Sequence, residues 1–119
     1  MSLTQSPAAA PSQPTGRGRR RHPRVDCGPY SFCLFQICRD MPLELAGVRN
    51  VSQSGIGLLT QRRLQPGTLV TLNLFNAQRN IAFRVWMRVV YSNVQDDGMH
   101  LVGGAFTEEI SAEEVAWLV

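Results

Sequence analysis

The chain has 119 residues, 44% of them hydrophobic, enough for one small core but not for two. Its formal net charge of +3 is unevenly spread: all twelve basic residues are arginine, and Arg17, Arg19, Arg20, Arg21 and Arg24 precede the first acid, leaving seven arginines against nine acids beyond them. No apolar run reaches the roughly 18 residues of a membrane span, no charged and then apolar leader marks a secretory signal, and Cys27, Cys33 and Cys38 lack the C-x-x-C spacing of a zinc site or the even count of a disulfide framework.

In chain order, residues 1–18 are rich in Pro, Ala, Ser and Gln without periodicity and read as a disordered leader ahead of a single domain, 19–119. Arg19-Arg20-Arg21-His22-Pro23-Arg24 follows. Pro23 removes a backbone donor and biases His22 toward extended conformations, so this arm is expected to run as an extended or turning strand. Such a basic arm ahead of a mildly acidic body implies an anionic partner, most simply phosphate. The three cysteines read as buried, reduced thiols.

Beyond the arm the pattern is that of strands. Ser31–Cys38 is aromatic and aliphatic on both faces, Leu45–Ser52 and Gly55–Thr60 flank a short polar turn, and Pro66-Gly67 is a strong turn signal. Val70, Leu72 and Leu74 then alternate with Thr71 and Asn73. The longest alternation puts Ile81, Phe83, Val85, Met87, Val89 and Tyr91 on one face and Arg84, Trp86 and Arg88 on the other, with Trp86 expected to be covered by the arm or the terminal helix. Asp97-Gly98 signals a hairpin, and His100–Phe106 returns from it. Ser111-Ala112-Glu113-Glu114 forms a capping box, with Ile110 and Val115 at the hydrophobic-staple positions, so one short helix ends the chain and must pack on the rest to be stable. The expected fold is all-β with a C-terminal helix: a small six-stranded antiparallel β-barrel of the split-barrel type.

Catalytic constellations are missing. His22 and His100 are the two histidines, no H-x-x-x-H, Walker or G-x-S-x-G pattern occurs, and Glu108, Glu109, Glu113 and Glu114 sit where a helix start favours negative charge. No enzymatic activity, metal or cofactor is expected. The stretch Asn50-Val51-Ser52-Gln53-Ser54-Gly55-Ile56-Gly57 concentrates polar side chains and glycines between two strands. Taken alone it is an ordinary hairpin turn. On a continuous strand, however, Asn50 and Ser52 would share the outward face, and the glycines would clear space in front of them.

Taken together, Arg20-x-x-x-Arg24 and Asn50-x-Ser52-x-x-Gly55, in this order and followed by a small β-barrel, resemble the PilZ domain, the bacterial receptor module for cyclic di-GMP. The resemblance covers about residues 19–119, with Gly103–Phe106 similar to the family's late G-x-x-F strand. It implies a cytoplasmic cyclic di-GMP receptor whose ligand is held by Arg20, Arg21, Arg24, Asn50, Ser52 and Gly55, and which signals to a partner protein. Arginine suits that role because one guanidinium can meet a guanine edge bidentately, pair with phosphate or stack on a purine, whereas lysine offers a point charge. Asn50 stands where the family often has Asp, which would cost a charge-assisted bond, about 1–2 kcal/mol or roughly tenfold in affinity. Two other readings are a PilZ-like adaptor working through protein contacts without ligand, and a small β-barrel binding nucleic acid through the arm and Trp86. Self-association is compatible with each.

Overall fold

The computed structural model describes residues 22–119; the leader 1–18 and the expected site residues Arg20 and Arg21 lie outside the described residues. Seven strands and one helix follow in order: β1 (Val25–Asp26), β2 (Ser31–Gln36), β3 (Glu44–Val51), β4 (Gly55–Thr60), β5 (Leu69–Asn76), β6 (Ile81–Val94), β7 (His100–Phe106) and α1 (Ala112–Leu118). All pairings are antiparallel. The order β3-β2-β5-β6-β7-β4 closes on itself through β3–β4, making a six-stranded barrel to which β1 is added along β3. Closure leaves the ring without an open edge.

Alternation sets the core. Cys33 and Phe35 on β2, Val70, Leu72 and Leu74 on β5, and Met87 and Val89 on β6 point inward and are buried, with Ile56, Leu58 and Val102 from β4 and β7. β2 ends at Gln36, two residues earlier than its apolar run suggests. The Gln36 amide donates to the carbonyls of Met41 (2.7 Å) and Arg39 (3.3 Å), bending the chain away from the ladder. Of the three thiols only Cys33 is fully buried; Cys27 is half-buried and Cys38 exposed, which corrects the expectation that all three are inside. Burial lifts the Cys33 thiol to about 12, and burial together with the neighbouring Asp26 charge lifts Cys27 to about 11.

The helix closes one mouth of the barrel. Ser111 Oγ accepts from Glu114 N (3.0 Å) and Glu114 Oε1 from Ser111 N (2.8 Å), completing the capping box. Leu118 is fully buried and Trp117 meets Phe83 edge-on at 5.8 Å. The last carbonyls of a helix have no partner within it; here the barrel supplies them. Ser31 and Asn76 are register partners on β2 and β5, both buried, and donate to Leu118 O and Trp117 O (2.8 Å) respectively. Because seven residues are too few for an independent helix, Leu118→Ala should destabilise the whole domain by about 2–5 kcal/mol. Val119→Ala, at a position 44% exposed, should cost little. Urea unfolding of the two variants checks the contrast; equal losses would mean that the helix does not plug the core.

Candidate functional site

Two β-bulges shape the surface where the polar turn lies. Between Val48 and Asn50 the β3–β4 register shifts, and between Val89 and Tyr91 the β6–β7 register shifts. Each extra residue reverses the inside–outside alternation after it. Ala46 and Val48 point inward, as does Val51, so the bulge at Arg49 sends Asn50 outward while keeping Val51 in the core. The bulge at Val90 does the same for Tyr91, which leaves the inward face expected from strict alternation and turns out over β7.

Between these two side chains lies a bed of glycine. Asn50, Gly57, Gly103 and Tyr91 are successive partners across β3, β4, β7 and β6, and Gly55 and Ala105 form the next outward pair. A Cβ on Gly57 would stand 2.7 Å from Asn50 Oδ1, and one on Gly103 would stand 2.2 Å from the Tyr91 ring. The glycines thus let the amide and the phenol lie flat against backbone. At Gly55 a Cβ would meet Gly104 O at 2.6 Å and Arg24 Nη2 at 3.0 Å. Glycine at this position is expected to let a base or backbone approach closely, and here the β7 backbone at Gly104 and the Arg24 guanidinium stand in the space a Cβ would take.

Arg24 joins the two motifs. Val25 and Asp26 pair with Val51 and Asn50, and Cys27 N donates to Arg49 O at 3.0 Å, so β1 occupies the part of the β3 edge that β2 leaves uncovered. That pairing holds Arg24 beside the bed. Its Nη1 donates to Asn50 Oδ1 at 3.2 Å, and Nη2 makes a long 3.5 Å contact to Gly104 O. The arginine and the asparagine, 26 positions apart, are in direct contact.

Ser52 differs from its expected place. β3 stops at Val51, and Ser52 is 2% exposed instead of sharing the outward face with Asn50. Its N donates to Gly55 O at 2.8 Å, and its Oγ accepts from the N of Ser54 (3.2 Å) and of Gly55 (3.1 Å). The hydroxyl therefore closes the β3–β4 turn, satisfying amides that a tight turn leaves without ladder partners.

Gly57, Gly103 and Tyr91 were not singled out from the sequence as parts of one surface. The available signal was glycine inside otherwise apolar strands, which marks close approach. Arg88, on the outward face beside Ala105, donates to Gly67 O at 2.8 Å. Trp86 is 53% exposed and the helix does not cover it. Among the described residues no group of three or more His, Cys, Asp or Glu could hold a metal ion, and no helix is long and apolar enough to cross a membrane.

Residues 18–119 match the family model described as the PilZ domain. Among solved structures, YcgR of Escherichia coli in complex with c-di-GMP superposes with a TM-score of 0.65 at 20% identity, over 84% of this chain and 42% of that one. The PilZ domain of the same protein with c-di-GMP gives 0.61 at 17% identity, over 85% and 86%. The complex of K. pneumonia MrkH with c-di-GMP gives 0.64 at 17% identity, over 86% and 50%. The chain thus spans half or less of the MrkH chain and of the longer YcgR chain it matches, and all of these likenesses concern fold. No curated protein matches the sequence significantly.

The contacts of Gly55 and Gly57, both on β4, differ in kind, which gives a test. Gly55→Ala should cost about 1–3 kcal/mol, because its Cβ meets a backbone carbonyl that cannot step aside. Gly57→Ala should cost less, since the asparagine amide can rotate away. Paired thermal melts measure this; a Gly57→Ala loss as large as that of Gly55→Ala would contradict the account.

Proposed function

Because this chain belongs to the PilZ domain family, we propose that it is a receptor for cyclic di-GMP, with the ligand seated over the glycine bed between Asn50 and Tyr91. The observation that carries this reading is the 3.2 Å hydrogen bond from Arg24, the second arginine of the R-x-x-x-R motif, to Asn50, the first residue of the N-x-S-x-x-G motif. Cyclic di-GMP is a dianion with two guanines. Arg20 and Arg24 serve its phosphates and the N7/O6 guanine edges, and Arg21 assists them. Asn50 Oδ1 is an acceptor for guanine N–H donors, in exchange for the arginine it now holds. Ser52 and Gly55 act through shape: the serine fixes the turn and the glycine lets the strands and Arg24 close up.

In this reading the arginine arm folds over the ligand against the Asn50–Gly55 surface, next to which β1 already holds Arg24. Closure turns nucleotide concentration into a new surface that a cytoplasmic partner protein can read. No catalytic step is assigned to any residue.

Calorimetric titration tests the reading. Cyclic di-GMP should bind with heat, and GTP and cyclic GMP should not compete at equal concentration. Arg20→Ala and Arg24→Ala should each abolish binding, and Arg24→Lys should not restore it, because an ammonium cannot form the bidentate contacts. Asn50→Asp should tighten binding by roughly tenfold through a charge-assisted bond to guanine. Absence of binding by the unaltered chain, or equal binding of GTP, would sink the proposal.

A further inference from the structure

On the outer face of the barrel Trp86 stands 53% exposed between two hollows, and it forms their common wall together with Arg84. One hollow, about 400 Å³, lies over β2 and β5, where Gln36, Thr71 and Trp86 are successive register partners, and it is overhung by Arg39 and Leu43. Among the described residues Arg39 and Arg84 line it and no carboxylate does. Beyond Trp86 the second hollow, about 440 Å³, lies against the segment leading into α1, and its lining includes Glu108, Glu109 and Glu114. A backbone bond from Thr107 N to Trp86 O (3.0 Å) ties the two hollows' walls together, and a side-chain bond from Arg84 Nε to Asn73 Oδ1 (3.2 Å) orients the guanidinium. A cationic hollow, an indole ridge and an anionic hollow follow one another across a single face.

We infer that this saddle is a docking site for an extended segment of a partner protein in which an acidic, an apolar and a basic residue occupy alternate positions. In an extended chain residues i, i+2 and i+4 project from one face. The acid would enter beside Arg39 and Arg84, the apolar side chain would lie on the Trp86 ring, and the base would enter beside Glu108 and Glu114. Charge complementarity selects this occupant over others. A nucleic acid strand crossing the ridge would carry phosphate into the carboxylate hollow. The chain's own first 25 residues contain no acid to offer Arg39 and Arg84. Exposed aromatic rings with arginine beside them are the kind of anchor that dominates protein interfaces. The inference stands without the receptor reading, and its test uses no cyclic dinucleotide.

The probes are capped heptapeptides with Asp, Leu and Arg at alternate positions, and counterparts carrying Asp at both ends or Arg at both ends. They are titrated into the full chain while the Trp86 indole N–H resonance is followed. Labelling of Cys38, the exposed thiol lining the cationic hollow, provides a second readout. The mixed-charge peptide should shift the indole signal, slow Cys38 labelling and bind at least about tenfold more tightly than either like-charged peptide. Trp86→Ala should remove binding. The double variant Arg39→Glu with Arg84→Glu should transfer the preference to the peptide with Arg at both ends, a gain that misfolding cannot mimic. Four results would each overturn the proposal: no preference for mixed charge; a larger indole shift with a short oligothymidylate; a shift that depends on protein concentration alone, meaning a second copy on the face; or a Trp86 signal that changes when residues 1–18 are removed, meaning the chain covers its own ridge.

Discussion

β3 is hydrogen-bonded along both edges, and most of what this domain can do follows from that. On one side it pairs with β4 and so closes the barrel. Its other side is shared, β2 taking residues 44–47 and β1 taking residues 50 and 51. The same short strand therefore ends the ring, anchors the arm and carries Asn50. A strand committed on both edges cannot slip without breaking two ladders, so the position of Asn50 relative to Arg24 is set by backbone geometry more than by the side chains themselves.

The two bulges convert that frame into a surface. Without the extra residue at Arg49, Asn50 would enter the core beside Val48 and leave a buried amide in need of partners. Without the one at Val90, Tyr91 would compete with Val89 for the interior. Both side chains instead lie outside, at opposite ends of a row whose middle positions are Gly57 and Gly103. The glycine row makes room for these two side chains as they lie in this structure, because Asn50 and Tyr91 occupy the space a Cβ would take. A surface polar at its ends with a guanidinium beside it offers what the proposed ligand, an anion carrying planar guanines, would need.

Much of the fold was legible. The bounds of β4 and β7, the turn at Pro66-Gly67, the hairpin at Asp97-Gly98 and the capping box at Ser111 all follow from local chemistry that tertiary contacts did not override. What escaped was non-local. Nothing in the apolar run Phe32–Cys38 shows that the Gln36 amide will reach the carbonyls of Arg39 and Met41 and end the strand. The alternation through Tyr91 gave no sign of a bulge, since Val90 and Tyr91 both suit a strand. Ser52 lies past the end of β3 and off the outward face expected for it, because its hydroxyl serves the turn. For the site, the sequence offered the two motifs as one unit through their resemblance to the PilZ pattern, whereas the direct Arg24–Asn50 contact and the bed beneath it needed the register of four strands to be known. Ser31 and Asn76 likewise became helix-capping donors only once β2 and β5 were paired.

The central claim is that the surface running from Asn50 over Gly57 and Gly103 to Tyr91 receives the nucleotide. Amide chemical-shift mapping of the uniformly labelled chain during a cyclic di-GMP titration tests it most directly. The account predicts saturable shifts concentrated at Arg24, at residues 50–57 and at residues 103–105, with little change at Arg39 or around Glu108. A response centred on the hollows beside Trp86, or no saturable response at all, would contradict it.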